Sequence, residues 1–183
     1  MDRLVRSLED APVVSRGEYE YFVHPVTDGI PAVDAPLLRE IADGISRVAD
    51  LEGIDSVLTA EAMGIHHATA LTLETDIPFS VARKRSYGFD TEVAVHQETE
   101  YSEGELYVNG IEPGDRVLVV DDVYSTGGTL RALCEALIEL GAEPTEVVVV
   151  IRRGDEPVDL PVPFSALVDV DVRDGRVVVE ETR

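Results

Sequence analysis

Residues 116–129 read Arg116-Val117-Leu118-Val119-Val120-Asp121-Asp122-Val123-Tyr124-Ser125-Thr126-Gly127-Gly128-Thr129. Four branched apolar residues in a row, entered from the turn at Gly114 and Asp115, suit a strand covered on both faces. After the segment rich in Ser, Thr and Gly, the apolar residues Leu130, Leu133, Cys134, Leu137 and Ile138 fall at i, i+3, i+4, i+7 and i+8, the stripe of an amphipathic helix. Gly141 ends that helix. A second apolar run, Val147-Val148-Val149-Val150-Ile151, then completes a strand–helix–strand unit, whose strands are parallel and whose crossover is right-handed. The fold class that follows is α/β, a mainly parallel central sheet flanked by helices.

Outward from this unit, Asp34 before Ala35 and Pro36 is an N-cap that opens a helix through Leu37, Ile41, Ile45 and Val48. Residues 55–60 and 78–82 read as short strands, with helix formers from 63 to 72 between them. Residues 83–101 are polar and leave the core as a long excursion. Residues 166–170 and 176–179 add terminal or edge strands. At 183 residues, with no linker-like stretch, the chain is expected to form one domain over 1–183.

Open parallel sheets place ligands beyond the carboxyl ends of their strands, and residues 121–129 stand there. Asp121 and Asp122 at a buried strand end need solvent or a ligand, since unpaired burial of a carboxylate is costly; ribose hydroxyls are natural partners. Ser125, Thr126, Gly127, Gly128 and Thr129 offer hydroxyls and successive backbone N–H groups at a helix N-terminus, where the dipole favours a phosphate. A glycine turn alone would need no function. The immediate succession of buried strand, acidic pair, this turn and an amphipathic helix argues for a sugar phosphate. The chain has no Gly-Lys-Ser/Thr of a Walker loop and no Gly-x-Gly-x-x-Gly after any strand.

Composition sets further bounds. The formal charge is −22, from 37 acidic and 15 basic residues, and Lys84 is the sole lysine. Clean apolar periodicity excludes an acidic disordered chain, so the charge belongs to a folded, carboxylate-dense surface of the kind that suits molar salt. Such a surface opposes nucleic acid as a partner, and no run is long enough to span a membrane. A single cysteine, Cys134, fits a reducing cytoplasm and lies on the helix's apolar stripe. His24, His66, His67 and His96 lack metal-ligand spacing. Against this background the cluster Arg83, Lys84, Arg85 points to an anion to be held.

Residues 117–129 resemble the phosphoribosyl pyrophosphate signature of type I phosphoribosyltransferases. The resemblance extends along nearly the whole chain to the archaeal hypoxanthine/guanine phosphoribosyltransferase group and its halophile homologues, through Gly17-Glu18-Tyr19-Glu20-Tyr21-Phe22, Glu61-Ala62-Met63-Gly64-Ile65 and Arg83-Lys84-Arg85-Ser86-Tyr87-Gly88. It implies a small N-terminal hood over residues 1–35, a mobile loop and hairpin over 83–108, and a homodimer. It also implies ribose held by Asp121 and Asp122, the 5′-phosphate by Ser125 to Thr129, and pyrophosphate by Glu61, Ala62, Met63 and Gly64 together with Arg83, Lys84 and Arg85. Val123, Tyr124 and Phe22 would touch the base, and Glu100, near the end of the loop, would serve as acid/base. Magnesium would be carried mainly by the substrate, with no dedicated metal cage.

The activity so implied is transfer of phosphoribose from phosphoribosyl pyrophosphate to a purine base. Hypoxanthine or guanine is the first choice. Adenine stays open, because the loop near Glu100 resembles adenine enzymes and Ser125 fills the place of the aspartate found in the bacterial and animal 6-oxopurine branch. A non-catalytic sensor of phosphoribosyl pyrophosphate is the other alternative. The charge itself gives a prediction. In molar salt the Debye length is about 3 Å and carboxylate repulsion is screened. The melting temperature is therefore expected to rise by several degrees from dilute buffer to molar KCl; a melt indifferent to salt would remove the halophile reading.

Overall fold

The computed structural model describes residues 1–17, 19–99, 102–155 and 157–181. In chain order the elements are α1 (Asp2–Glu9), β1 (Val13–Arg16), β2 (Tyr19–Phe22), α2 (Pro25–Asp28), α3 (Ala35–Val48), β3 (Ser56–Ala60), α4 (Gly64–Thr75), β4 (Phe79–Ala82), β5 (Val93–Thr99), β6 (Ser102–Val108), β7 (Arg116–Tyr124), α5 (Gly128–Leu140), β8 (Glu143–Arg153), β9 (Phe164–Arg173) and β10 (Arg176–Glu181). Six strands form the central sheet in the order β10-β9-β8-β7-β3-β4. All neighbours are parallel except β9 and β10, which pair antiparallel. The expected α/β architecture is thus present, with β7 and β8 as the parallel pair around α5.

Alternation along β7 divides its side chains between two cores. Leu118 and Val120 join Leu4, Leu8, Ile41, Ile45 and Leu71 on the face covered by α1, α3 and α4. Val117 and Val119 join Leu130, Leu133, Cys134 and Leu137 from α5, and Val95, Leu106 and Val108 from the β5–β6 hairpin, on the other face. Every residue from Val117 to Val120 is fully buried, as a strand covered on both sides requires. The Asp34 cap forms as expected, its Oδ1 accepting the Leu37 N–H at 2.7 Å. Burial pushes the Cys134 thiol up to about 12, so this sulfur packs as a small apolar group.

The excursion after β4 contains a hairpin within 83–108: β5 and β6 pair antiparallel from Val93 with Val108, and the Arg83–Tyr107 backbone bridge ties it to the end of β4. The segment before residue 35 is not all hood. Leu4 and Leu8, one turn apart on α1, sit in the main core, and Glu40 of α3 accepts the Leu4 N–H at 2.9 Å at the start of α1. The small β1–β2 sheet and α2 make up the remainder.

Two histidines are buried beside α2. His24 Nδ1 accepts the Val26 N–H and its Nε2 faces Ser7 Oγ at 3.0 Å. Desolvation lowers His24 to about 4 and His67 to about 3. Both stay neutral in the folded chain while the unfolded chain protonates near 6.5, so their share of stability is present above that value and is lost as pH falls towards 4. From pH 7 to pH 5 the loss is about 2 kcal/mol for His67. Urea unfolding of His67→Leu should show a shallower decline over this interval than the native chain, and parallel declines would show that His67 does not titrate this way.

Candidate functional site

The site is built where β3 and β7, parallel neighbours, run out on the same edge of the sheet. Beyond β3 comes the turn 61–63 and beyond β7 the turn 125–127, each followed at once by a helix. Between them lies a cleft of about 300 Å³ lined by Glu61, Ala62, Met63, Lys84, Asp121, Asp122, Val123 and the whole run Ser125 to Thr129. Gly127 takes φ 76° as the residue before α5, and a Cβ there would come within 2.5 Å of the Tyr124 ring. Glycine is therefore required twice over, by conformation and by space. The 13-residue α5 starts at Gly128, so its free N–H groups and the positive end of its dipole open into the cleft.

Asp121 is 8% exposed, and its Oδ1 accepts the Asp122 N–H at 3.0 Å. It lies against β3 and α4: a Cβ on Gly64 would stand 2.5 Å from Asp121 Oδ1 and 1.9 Å from the buried Thr59 hydroxyl. Gly64 thus does not line the cleft; it permits the approach of α4 to the strand ends. Burial raises both carboxyls above the usual range, and repulsion from Asp121 raises Asp122 further. A pair so placed holds its negative charge at a cost that a polyol, a cation or a developing positive charge relieves.

The three clustered cations separate. Lys84 alone of them lines the cleft. Arg83 turns to Glu61, Nε to Oε2 at 2.9 Å, and the same carboxylate oxygen accepts the Lys84 backbone N–H at 3.3 Å. Arg85 lies over the Tyr87 ring, 5.7 Å from its centroid. The expectation of a shared anion site is corrected for Arg83 and Arg85, because one is spent on Glu61 and the other on an exposed aromatic ring.

A second cavity, of about 630 Å³, adjoins the first and shares Val123 and Ser125 with it. Tyr21, Phe22, Thr27, Asp28 and Arg153 are among the residues of its wall, most of them from the N-terminal segment. Tyr124 lines neither cavity. It is 2% exposed, its ring packs on Phe164 with centroids 4.9 Å apart, and its hydroxyl accepts the Asp159 N–H. Strand alternation explains the correction: if Val123 faces the cavities, the next residue faces the opposite core. Glu100, with Tyr101, lies outside the described residues.

Arg153 was not singled out from the sequence. It ends β8 as Asp122 nearly ends β7, so the rule that ligands gather beyond strand ends could have found it. Among the described residues no cluster of three or more His, Cys, Asp or Glu could hold a metal. The hard oxygens of Asp121 and Asp122 do suit a magnesium ion that keeps most of its ligands as water or substrate. Chemically, the cleft brings together acids, amides and hydroxyls, and a lysine.

The model of the phosphoribosyl transferase domain matches residues 34–165. A relative named HGPRTase-like protein 3, from Haloterrigena turkmenica, is 58% identical over 99% of this chain and 98% of its own length. A protein named hypoxanthine/guanine phosphoribosyltransferase, from Methanocaldococcus infernus, is 54% identical over 97% of this chain and 100% of its own. Among solved structures, adenine phosphoribosyltransferase from Thermoanaerobacter pseudethanolicus superposes with a TM-score of 0.75 at 18% identity, covering 92% of this chain and 99% of that one. The corresponding enzyme from Rhodothermus marinus gives 0.71 at 25% identity, over 92% and 99%. With the family model spanning most of its length and relatives above half identity end to end, this chain belongs to the phosphoribosyltransferase family.

Proposed function

We propose that this chain transfers phosphoribose from phosphoribosyl pyrophosphate to a purine base, hypoxanthine or guanine, and releases pyrophosphate. The observation that carries the proposal is the convergence, in one cleft, of the acidic end of β7, the amide-lined start of α5 and the 61–63 turn. Relatives named for hypoxanthine and guanine support that choice of base, whereas the structural likeness to adenine enzymes speaks for the fold.

In this reading Ser125, Thr126, Gly127, Gly128 and Thr129 bind the 5′-phosphate with backbone N–H groups and hydroxyls at the helix N-terminus. Asp121 and Asp122 accept hydrogen bonds from the ribose hydroxyls and orient the sugar. Their negative field also stabilises the positive charge that grows on the ribose as the bond to pyrophosphate breaks. The 61–63 turn and Lys84 take the leaving pyrophosphate, while Gly64 keeps α4 close enough for that turn to reach it. Magnesium, held by substrate oxygens and by Asp121 or Asp122, supplies charge neutralisation at the pyrophosphate when bound. The base enters the second cavity over Val123 and Phe22, and Glu100 is proposed to move the purine proton. A homodimer in the cytoplasm of a salt-adapted cell completes the proposal, with 1–183 acting as one catalytic domain.

Release of pyrophosphate at high salt, assayed with hypoxanthine, guanine, adenine, uracil and orotate, tests it directly. Turnover with hypoxanthine or guanine is expected; binding of phosphoribosyl pyrophosphate with no turnover on any base would make the chain a sensor instead.

Asp122→Asn separates chemistry from stability. The folded chain raises this carboxyl, so its stabilising share is complete below the unfolded value near 4 and is lost as pH rises through the folded one. The amide should lower kcat/KM by about 10²-fold or more and raise the melting temperature of the free protein by about 3 °C at pH 7.5. A single assay of turnover and melting reads both, and undiminished turnover would disprove the role.

Lys84→Ala should raise KM for phosphoribosyl pyrophosphate about tenfold, and Arg85→Ala should leave it within about twofold. Equal effects from both would restore the shared anion site.

A further inference from the structure

From the loop between β8 and β9 we infer that Asp159 is a positioning residue for the turn 125–129, which it holds from both ends without lining the cleft. This deepens the proposed binding of the 5′-phosphate and rests on that reading.

The turn is bracketed by Tyr124, which ends β7, and by Arg131, in the first turn of α5. Both reach the same residue. The Asp159 N–H donates to the Tyr124 hydroxyl at 3.3 Å. The Asp159 carbonyl accepts from Arg131 Nη2, and the same guanidinium pairs with the Asp159 carboxylate. None of the three residues lines the cleft.

Asp159 can serve as an anchor because its loop is fastened on either side of it. Val158, Leu160 and Val162 alternate as along a strand and, with Phe164 at the start of β9, pack against the core that holds Leu130 and Leu133 of α5. The Asp159 side chain takes the intervening outward place, 83% exposed, while its backbone is bonded to Tyr124 and Arg131.

The hold reaches the turn by contact. The hydroxyl that accepts from Asp159 belongs to the part of Tyr124 that presses on Gly127: a Cβ at Gly127 would stand 2.7 Å from this oxygen and 2.5 Å from the ring. On the far side the Arg131 N–H donates to the Gly127 carbonyl at 2.9 Å, so the residue that grips Asp159 also closes the helix onto Gly127. An ion pair with an exposed carboxylate contributes little, and less in molar salt, where the Debye length is about 3 Å. The N–H and carbonyl of Asp159 therefore carry the brace. A turn with two adjacent glycines has much conformational freedom to lose when it wraps a ligand, and fixing it beforehand from outside lowers that loss.

Competition against phosphoribosyl pyrophosphate in the full chain at high salt, with ribose 5-phosphate and with pyrophosphate as separate inhibitors, tests the brace in Arg131→Met, Arg131→Lys, Tyr124→Phe and Asp159→Asn. Arg131→Met loses both contacts with Asp159 and should raise the inhibition constant of ribose 5-phosphate, and KM for phosphoribosyl pyrophosphate, about three- to tenfold. Tyr124→Phe, which keeps the ring on Phe164 and removes the acceptor, should raise both about two- to fivefold. The constant for pyrophosphate and KM for hypoxanthine should stay within about twofold, because the 61–63 turn and the second cavity lie outside the brace. Arg131→Lys, which can still donate to the carbonyl, should recover part of the loss. Asp159→Asn keeps the backbone groups, so it should stay within about twofold of the native chain and add nothing in an Arg131→Met background. Unchanged binding of ribose 5-phosphate in both Arg131→Met and Tyr124→Phe overturns the inference and leaves the transferase reading intact. So does a rise of equal size for ribose 5-phosphate and pyrophosphate, which reports a general loosening of the sheet edge. A native chain that binds neither ribose 5-phosphate nor phosphoribosyl pyrophosphate overturns both. If Arg131→Met does not fold, Tyr124→Phe and Arg131→Lys carry the same comparison.

Discussion

Two carboxylates stand where a fully buried strand runs out, and the cost of desolvating them shapes everything around them. Asp121 is almost sealed from water and Asp122 is half-buried, so both carboxyls are raised, and their mutual repulsion raises the second further. Such a pair is tolerable only because its open side is a cleft rather than a packed core. The closed side is as constrained: Gly64 and Thr59 press on Asp121 so closely that no side chain fits at position 64. Parallel pairing then does the rest. Because β3 and β7 point the same way, their ends and the turns after them open on one edge, and a helix N-terminus arrives beside the acids without any further device.

Single-residue alternation carries the division of labour along β7. Odd positions serve the α5 core and even ones the opposite core up to Val120; past the acidic pair the parity is reversed, so that Val123 packs on the α3 side and reaches the cavities while Tyr124 enters the α5 core with Phe164. The tyrosine is still needed by the site, through Gly127: its ring fills the space a Cβ would need, so the turn is held by packing from behind. A residue that touches no ligand thus shapes the loop proposed to grip one.

The sequence made the centre of the fold legible because its signals are local. The apolar run, the acidic pair, the glycine turn and the helical stripe are contiguous, and each has one physical reading that agrees with its neighbours. What it hid were facts that depend on distant partners. Leu4 and Leu8 look like one weak stripe until α3 and the sheet supply a core for them. Arg83, Lys84 and Arg85 look alike as a cluster, yet Glu61 and Tyr87 decide which of them is left to the cleft. Arg153 stands next to Arg152 with no motif around it, and its place is set by rings 131 and 132 positions earlier in the chain.

The choice of cation in the first cavity follows from what its proposed occupant must do. Arginine supplies every basic residue but one, so a lysine at position 84 is a departure from the chain's own habit. An ammonium on a flexible stem is a mobile point charge that can follow an anion as it separates, where a guanidinium fork would hold it bidentately and oppose its release. In the proposed reaction pyrophosphate must leave, a task that suits a single lysine. The geometry places that lysine in the first cavity and a guanidinium pinned on two aromatic rings in the second, while Glu61 engages Arg83. The acidic surface sharpens this economy. With −22 charges overall, the few cations that face a cavity give that cavity its character.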